Sequence, residues 1–108
     1  MLTSTTDIIQ GRTISRYHGI VTAEVVYGTN ALRDFFAGIR DFIGGRTGSY
    51  EQIFERGHQE VIAELSQRAQ KLGANAVIGV AVNTGTISID DRGALLLITA
   101  TGTAVTVD

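Results

Sequence analysis

The run Asn75 to Val82, NAVIGVAV, constrains the fold more than any other segment. Successive residues of a strand point to opposite faces. Val77, Gly79 and Ala81 therefore share one side, and Ala76, Ile78, Val80 and Val82 the other. Neither set offers a polar side chain to water, which is the pattern of a strand covered on both faces. At 108 residues the chain has single-domain length and can bury about two-thirds of its unfolded surface. Residues 1–108 are accordingly read as one domain, and each face of this strand needs a cover.

The flanking segments supply one. Thr13 to Tyr27 is rich in β-branched residues and reads as a strand, with Tyr17, Val21, Ala23, Val25 and Tyr27 on one face and Arg16, His18, Thr22 and Glu24 on the other. Gly28-Thr29-Asn30 ends it, and Thr29 or Asn30 can cap a helix. Ala31 to Ile43 has helical period, with Phe35, Phe36, Ile39, Phe42 and Ile43 as its apolar stripe. Gly44-Gly45 stops that helix. Ser49-Tyr50-Glu51-Gln52 has the form of a capping box, opening a second helix that runs to about Leu72 and buries Phe54, His58, Val61, Ile62, Leu65, Ala69 and Leu72. Arg68 and Lys71 suit its negative end, and Gly73 terminates it. Ala94 to Val107 is the last strand, preceded by the hairpin composition Asp90-Asp91-Arg92-Gly93.

The order is β-α-α-β-β. Its simplest arrangement is an α+β, two-layer fold, an antiparallel sheet with two helices on one face. The helices cover only one side of the 75–82 strand. A second copy of the chain is the expected cover for the other, so the pattern predicts a homo-oligomer.

Composition excludes several functions. A net charge of −2 gives no electrostatic basis for binding nucleic acid or an anionic membrane. The chain contains no cysteine, which removes disulfides, thiolate metal sites and cysteine nucleophiles. The first residues lack the basic and apolar runs of a signal peptide, and no apolar run approaches a membrane span. A cytoplasmic location is expected.

Tyr17-His18-Gly19-Ile20-Val21-Thr22, the run Asn30 to Gly48, Leu72-Gly73-Ala74-Asn75-Ala76-Val77-Ile78-Gly79 and Thr101-Gly102-Thr103-Ala104-Val105 together resemble the YbjQ-like family of small bacterial and archaeal proteins. The likeness spans nearly the whole chain in the expected order. It implies a dodecin-like subunit that assembles into a ring, a homopentamer. The family carries a heavy-metal-binding label without a settled ligand or reaction. Family members often have cysteine where this chain has His18, so a soft-metal thiolate site is impossible here, whereas histidine could take a divalent metal such as zinc, copper or nickel.

His18 is the metal candidate. One histidine is far short of the roughly four ligands of structural zinc, and Glu24 lies about 20 Å along the strand. A symmetric site would need several copies; otherwise His18 is an ordinary half-exposed or interface histidine. Glu51, Glu55 and His58 are spaced to chelate an ion, or else to form a solvated helix flank. Gly45, Arg46, Gly48 and Ser49 form a glycine-rich helix start that could hold a phosphate or carboxylate. The loop lacks the Gly-Lys-Ser/Thr ending of a nucleotide-phosphate loop, and a helix–helix turn explains its glycines equally well.

Arg33 and Arg40 border the phenylalanine stripe, with no acid three or four residues onward in their helix, and Gly38 at the opposite rim permits close approach. Arg33, Gly38 and Arg40 are the expected oligomer contacts, or else the two arginines are solvated surface charges. No nucleophile–base arrangement stands out. The leading functional expectation is a non-enzymatic homo-oligomer binding a metal ion or small ligand between subunits. The alternatives are a structural or protein-interaction module without ligand, and an enzyme on a small anionic metabolite acting through Arg46.

Overall fold

Three β-branched runs become long strands, and the amphipathic run between the first and second becomes the helix that covers them. The computed structural model describes residues 1–32, 46–90 and 93–108. Its strands are β1 (Leu2–Thr3), β2 (Ile14–Tyr27), β3 (Ala76–Asp90) and β4 (Gly93–Val107), and its long helix is α1 (Arg46–Lys71). The sheet order is β1-β3-β4-β2. β4 pairs antiparallel with both β3 and β2, while β1 adds in parallel to β3. A further helical segment opens at residues 29–32, where the Leu32 amide donates to the Gly28 carbonyl at 3.0 Å. Gly28 thus takes the cap position expected of Thr29 or Asn30. The remainder of the expected 31–43 helix, with its phenylalanines, lies outside the described residues.

The core lies between α1 and the inner face of the sheet. Every fourth residue of the helix is buried: Ile53, Gly57, Val61, Leu65 and Ala69. They meet Val21, Ala23, Val77, Val80, Leu96, Ile98, Ala100 and Ala104. Val61, Leu65 and Ala69 of the expected stripe are buried, but toward the N-terminal end the buried positions are Ile53 and Gly57 rather than Phe54 and His58. His58 is exposed, Leu72 is 49% exposed, and Phe54 only borders the core. Gly57 is the reason. A Cβ there would collide with Ile98 Cδ1 and lie 3.2 Å from Tyr27 Cε2, so the bare backbone is where helix and sheet approach most closely. A pattern that counts only apolar side chains passes over it. The described helix already includes Arg46 to Ser49, so the Ser49–Gln52 box lies within the helix instead of capping it.

Bulges redistribute the faces. β2 shifts register between Ile14 and Arg16 and between Tyr17 and Gly19, and β3 shifts between Ile78 and Ala81. Gly19 and Gly79 have φ of +112° and +60°, values that L side chains resist. The shifts put Tyr17 opposite Val105, on the outer face, while Val21 and Ala23 remain inside. They also send Val80 to the inner core and leave Ile78 on the outer face. β3 runs eight residues beyond the expected Val82, because Thr84 to Asp90 pair with Ile98 to Gly93 in one long hairpin.

The doubly apolar strand finds its second cover within the chain. The Ser4 amide donates to the Val77 carbonyl at 2.9 Å, and the Gly79 and Val80 amides donate to the Thr6 and Ser4 carbonyls at 2.8 and 3.0 Å. The N-terminal segment so pinned lays Ile9 beside Ile14 over Ala76, Ile78, Val105 and Val107. A second copy is therefore not required to bury this end of β3. Residues 81–86 are nonetheless exposed throughout. The Cα radius of gyration of 16.7 Å exceeds the roughly 13 Å of a compact domain of this length.

Candidate functional site around His18

The bulge at Tyr17–Gly19 turns His18 off the regular alternation of β2 and toward the C-terminal end of α1. Its Nε2 lies 2.7 Å from Thr106 Oγ1. The Thr106 hydroxyl donates to the Gly73 carbonyl at 3.4 Å. Gly73 has φ of +94° and closes α1 in the left-handed conformation usual at helix ends. The imidazole lies against that turn: a Cβ on Gly73 would stand 3.5 Å from His18 Cε1. Beside it, Asn75 clips the last strand. Its Nδ2 donates to the Val107 carbonyl, and its Oδ1 accepts from the Val107 amide, both at 2.8 Å. His18, Gly73, Asn75 and Thr106 thus form one polar junction between the edge strand, the helix end and the chain's last strand.

Two other polar groups tie α1 to β2. The Tyr27 hydroxyl donates to Glu60 Oε2 at 2.6 Å, and Arg56 Nε donates to Glu60 Oε1 at 3.0 Å. Partial burial, then the bond to Glu60, pushes the Tyr27 phenol up to about 12. The bond from Tyr27 holds Glu60 below the ordinary carboxylate value. Nearer the helix end, Arg68 forks onto Glu24 at 2.9 and 3.2 Å, reaches Glu64 at 3.0 Å, and donates to the Thr22 carbonyl at 2.8 Å. Glu24 is lowered by the Arg68 hydrogen bonds. The guanidinium thereby occupies part of the exposed edge of the sheet.

The sequence candidates separate in space. Glu24 belongs to the Arg68 group and not to His18. Glu51, Glu55 and His58 are all exposed on α1. Arg46, Gly48 and Ser49 lie in the first turn of α1, while Gly45, Arg33, Gly38 and Arg40 fall outside the described residues. Among the described residues no three histidine, cysteine or acidic side chains come together as a metal site, and none of the helices is long and apolar enough to cross a membrane. Thr106, Asn75, Tyr27, Glu60 and Arg68 were not singled out as partners from sequence. Thr106 shares the alternation of Ala104 and Gly102, so a lone hydroxyl at the end of an inner face was the available signal.

The profile of a family described as "Putative heavy-metal-binding" matches residues 1–108. The chain belongs to the YbjQ family. It is 91% identical to a UPF0145 protein of Synechocystis sp. over 108 residues, the whole of both chains. It is 71% identical to one of Picosynechococcus sp. over 105 residues, 97% of each. The crystal structure of a DUF74-family protein of unknown function from Pediococcus pentosaceus aligns with a TM-score of 0.67 at 19% identity, covering 100% of this chain and 98% of that one. That likeness establishes a shared fold. Among the described residues of one subunit the metal in the YbjQ description finds no fitting site: the chain has no thiolate, and its half-buried histidine is engaged by a hydroxyl.

Proposed function

We propose that the chain is a non-enzymatic, self-assembling subunit that forms a homopentameric ring of dodecin-like protomers. The observation that carries this reading is exposed apolar bulk on the outer face of the edge strand: Tyr17, Ile20 and Val26 are 66%, 81% and 55% exposed, with Thr22 and Glu24 between the last two on the same face. Their partners in β4 are Val105, Thr103 and Leu97, and paired residues share a face. The N-terminal segment covers only the Val105 end of this surface. Tyr17 and Ile20, two large apolar side chains this exposed on one face, have the composition of an interface rather than of a solvated sheet. The extended far half of the β3–β4 hairpin adds surface that a lone subunit leaves in water. Arg33, Gly38 and Arg40 are proposed for the same contacts, as charge and close-approach positions.

Native mass spectrometry tests the assembly. Wild type is expected as a pentamer at micromolar concentration, and Ile20→Asp as smaller species with an unchanged circular dichroism spectrum. A monomeric wild type overturns the proposal.

A further inference from the structure

We infer that His18 is a structural latch rather than a metal ligand, and that the heavy-metal description does not extend to this subunit. Nε2 is already committed to a hydrogen bond. A hydroxyl has one proton to give. With the Thr106 hydroxyl donating to the Gly73 carbonyl, its oxygen accepts from His18 Nε2 across 2.7 Å. The chain of donors then runs from the imidazole N–H, through the hydroxyl, to a carbonyl at the end of α1, where helices leave carbonyls without internal partners. That direction corresponds to the tautomer with the proton on Nε2. A metal bound there would need the lone pair, and would break the hydrogen bond to Thr106.

The remaining ring nitrogen has little to recruit. Thiolates are absent from the whole chain, and His58 is the only other histidine. That residue is exposed on α1, and no cluster of three candidate ligands exists among the described residues. Glu24, the acid of the same strand, is held by both arms of the Arg68 fork. The ring is half-buried against a glycine that carries no side chain. The positive φ of Gly19 allows the bulge that aims it there. Bulge, small residue and hydroxyl partner all serve to seat an imidazole at the helix end.

The test combines stability, tautomer and metal uptake. His18→Ala and Thr106→Val should each lower Tm by about 4–8 °C, the effect of losing about one hydrogen bond. The double variant should lose little more than either single. His18→Gln, whose amide can still donate to Thr106, should recover at least half the loss. Long-range ¹⁵N spectra should show His18 with its proton on Nε2. Titration with cadmium and zinc should give the same isotherm, without a stoichiometric site, for wild type and His18→Gln. Saturable uptake of one ion per subunit or per assembly that is lost in His18→Gln overturns the inference. So does a proton on Nδ1, or additive losses in the double variant. The position of the proton and the comparison of wild-type and His18→Gln isotherms do not depend on oligomer size, so the assembly proposal can fail while this inference stands.

Discussion

The Tyr27 hydroxyl donates to Glu60 Oε2 at 2.6 Å, joining the last residue of β2 to the middle of α1. Tyr27→Phe keeps the ring against the core and removes only the hydroxyl. The expected loss is about 1 kcal/mol, since the partner is charged but partly solvated, read as a lower urea midpoint at unchanged slope. The pH dependence has a definite sign. The phenol rises from 10 to about 12 on folding. Its contribution is therefore complete below pH 10 and disappears as the pH climbs toward 12. Ultraviolet titration should find one of the three tyrosines ionising last, and that step should be missing in Tyr27→Phe.

Gly57 sets the distance between helix and sheet. Alanine has the better helix propensity by about 1 kcal/mol, yet its methyl group would overlap the Cδ1 of Ile98, a fully buried side chain with little room to move. Overpacking costs about 1–3 kcal/mol, so Gly57→Ala should be destabilising despite the propensity gain. Ile98→Val removes the clashing carbon. The double variant should be more stable than the sum of the singles predicts, as measured by a denaturation cycle. Simple additivity would show that the helix moves away instead.

Arg68 holds two acids and a backbone carbonyl of the edge strand together. Lysine presents one charged point and cannot span all three, so Arg68→Lys should behave nearly as Arg68→Ala. Glu24 is lowered below 4.5 by this arginine. The stabilisation is then present above pH 4.5 and is lost as the pH falls through the folded value. Urea midpoints of wild type and Arg68→Ala should differ at pH 7 and converge in acid.

The strands and the main helix were legible because their periodicities are strong, and the family was legible in ordered motifs. What the pattern missed has specific causes. Bulges at Gly19 and Gly79 each reverse the alternation, so Tyr17 and Val80 were placed on the wrong faces. Gly57 contributes to the core by being empty, and hydrophobic counting cannot register that. The apolar outer face of β3 implied a covering partner, but the sequence could not say that Ile9 would return to provide it. At the candidate site His18 was found from its type alone. Its partners Gly73 and Thr106 stand 55 and 88 residues away in the chain, and only the fold brings them together.

Asn75 makes two opposed hydrogen bonds to Val107, accepting from its amide and donating to its carbonyl. Asn75→Ala leaves both backbone groups without that partner and should cost about 1–2 kcal/mol. Asn75→Asp is the more informative change. The carboxylate can still accept from the amide, but it faces the Val107 carbonyl with a second acceptor, so the deficit at pH 7 should be larger. Protonation restores a donor. The new carboxyl group should therefore have a folded pKa above its unfolded value near 4. Its stabilisation is present below that value and lost as the pH rises through the folded one. Relative to wild type, Asn75→Asp should gain stability as the pH falls from 7 to 4, while Asn75→Ala shows no such recovery. Parallel pH profiles for the two variants would mean that the side chain leaves the clip on substitution.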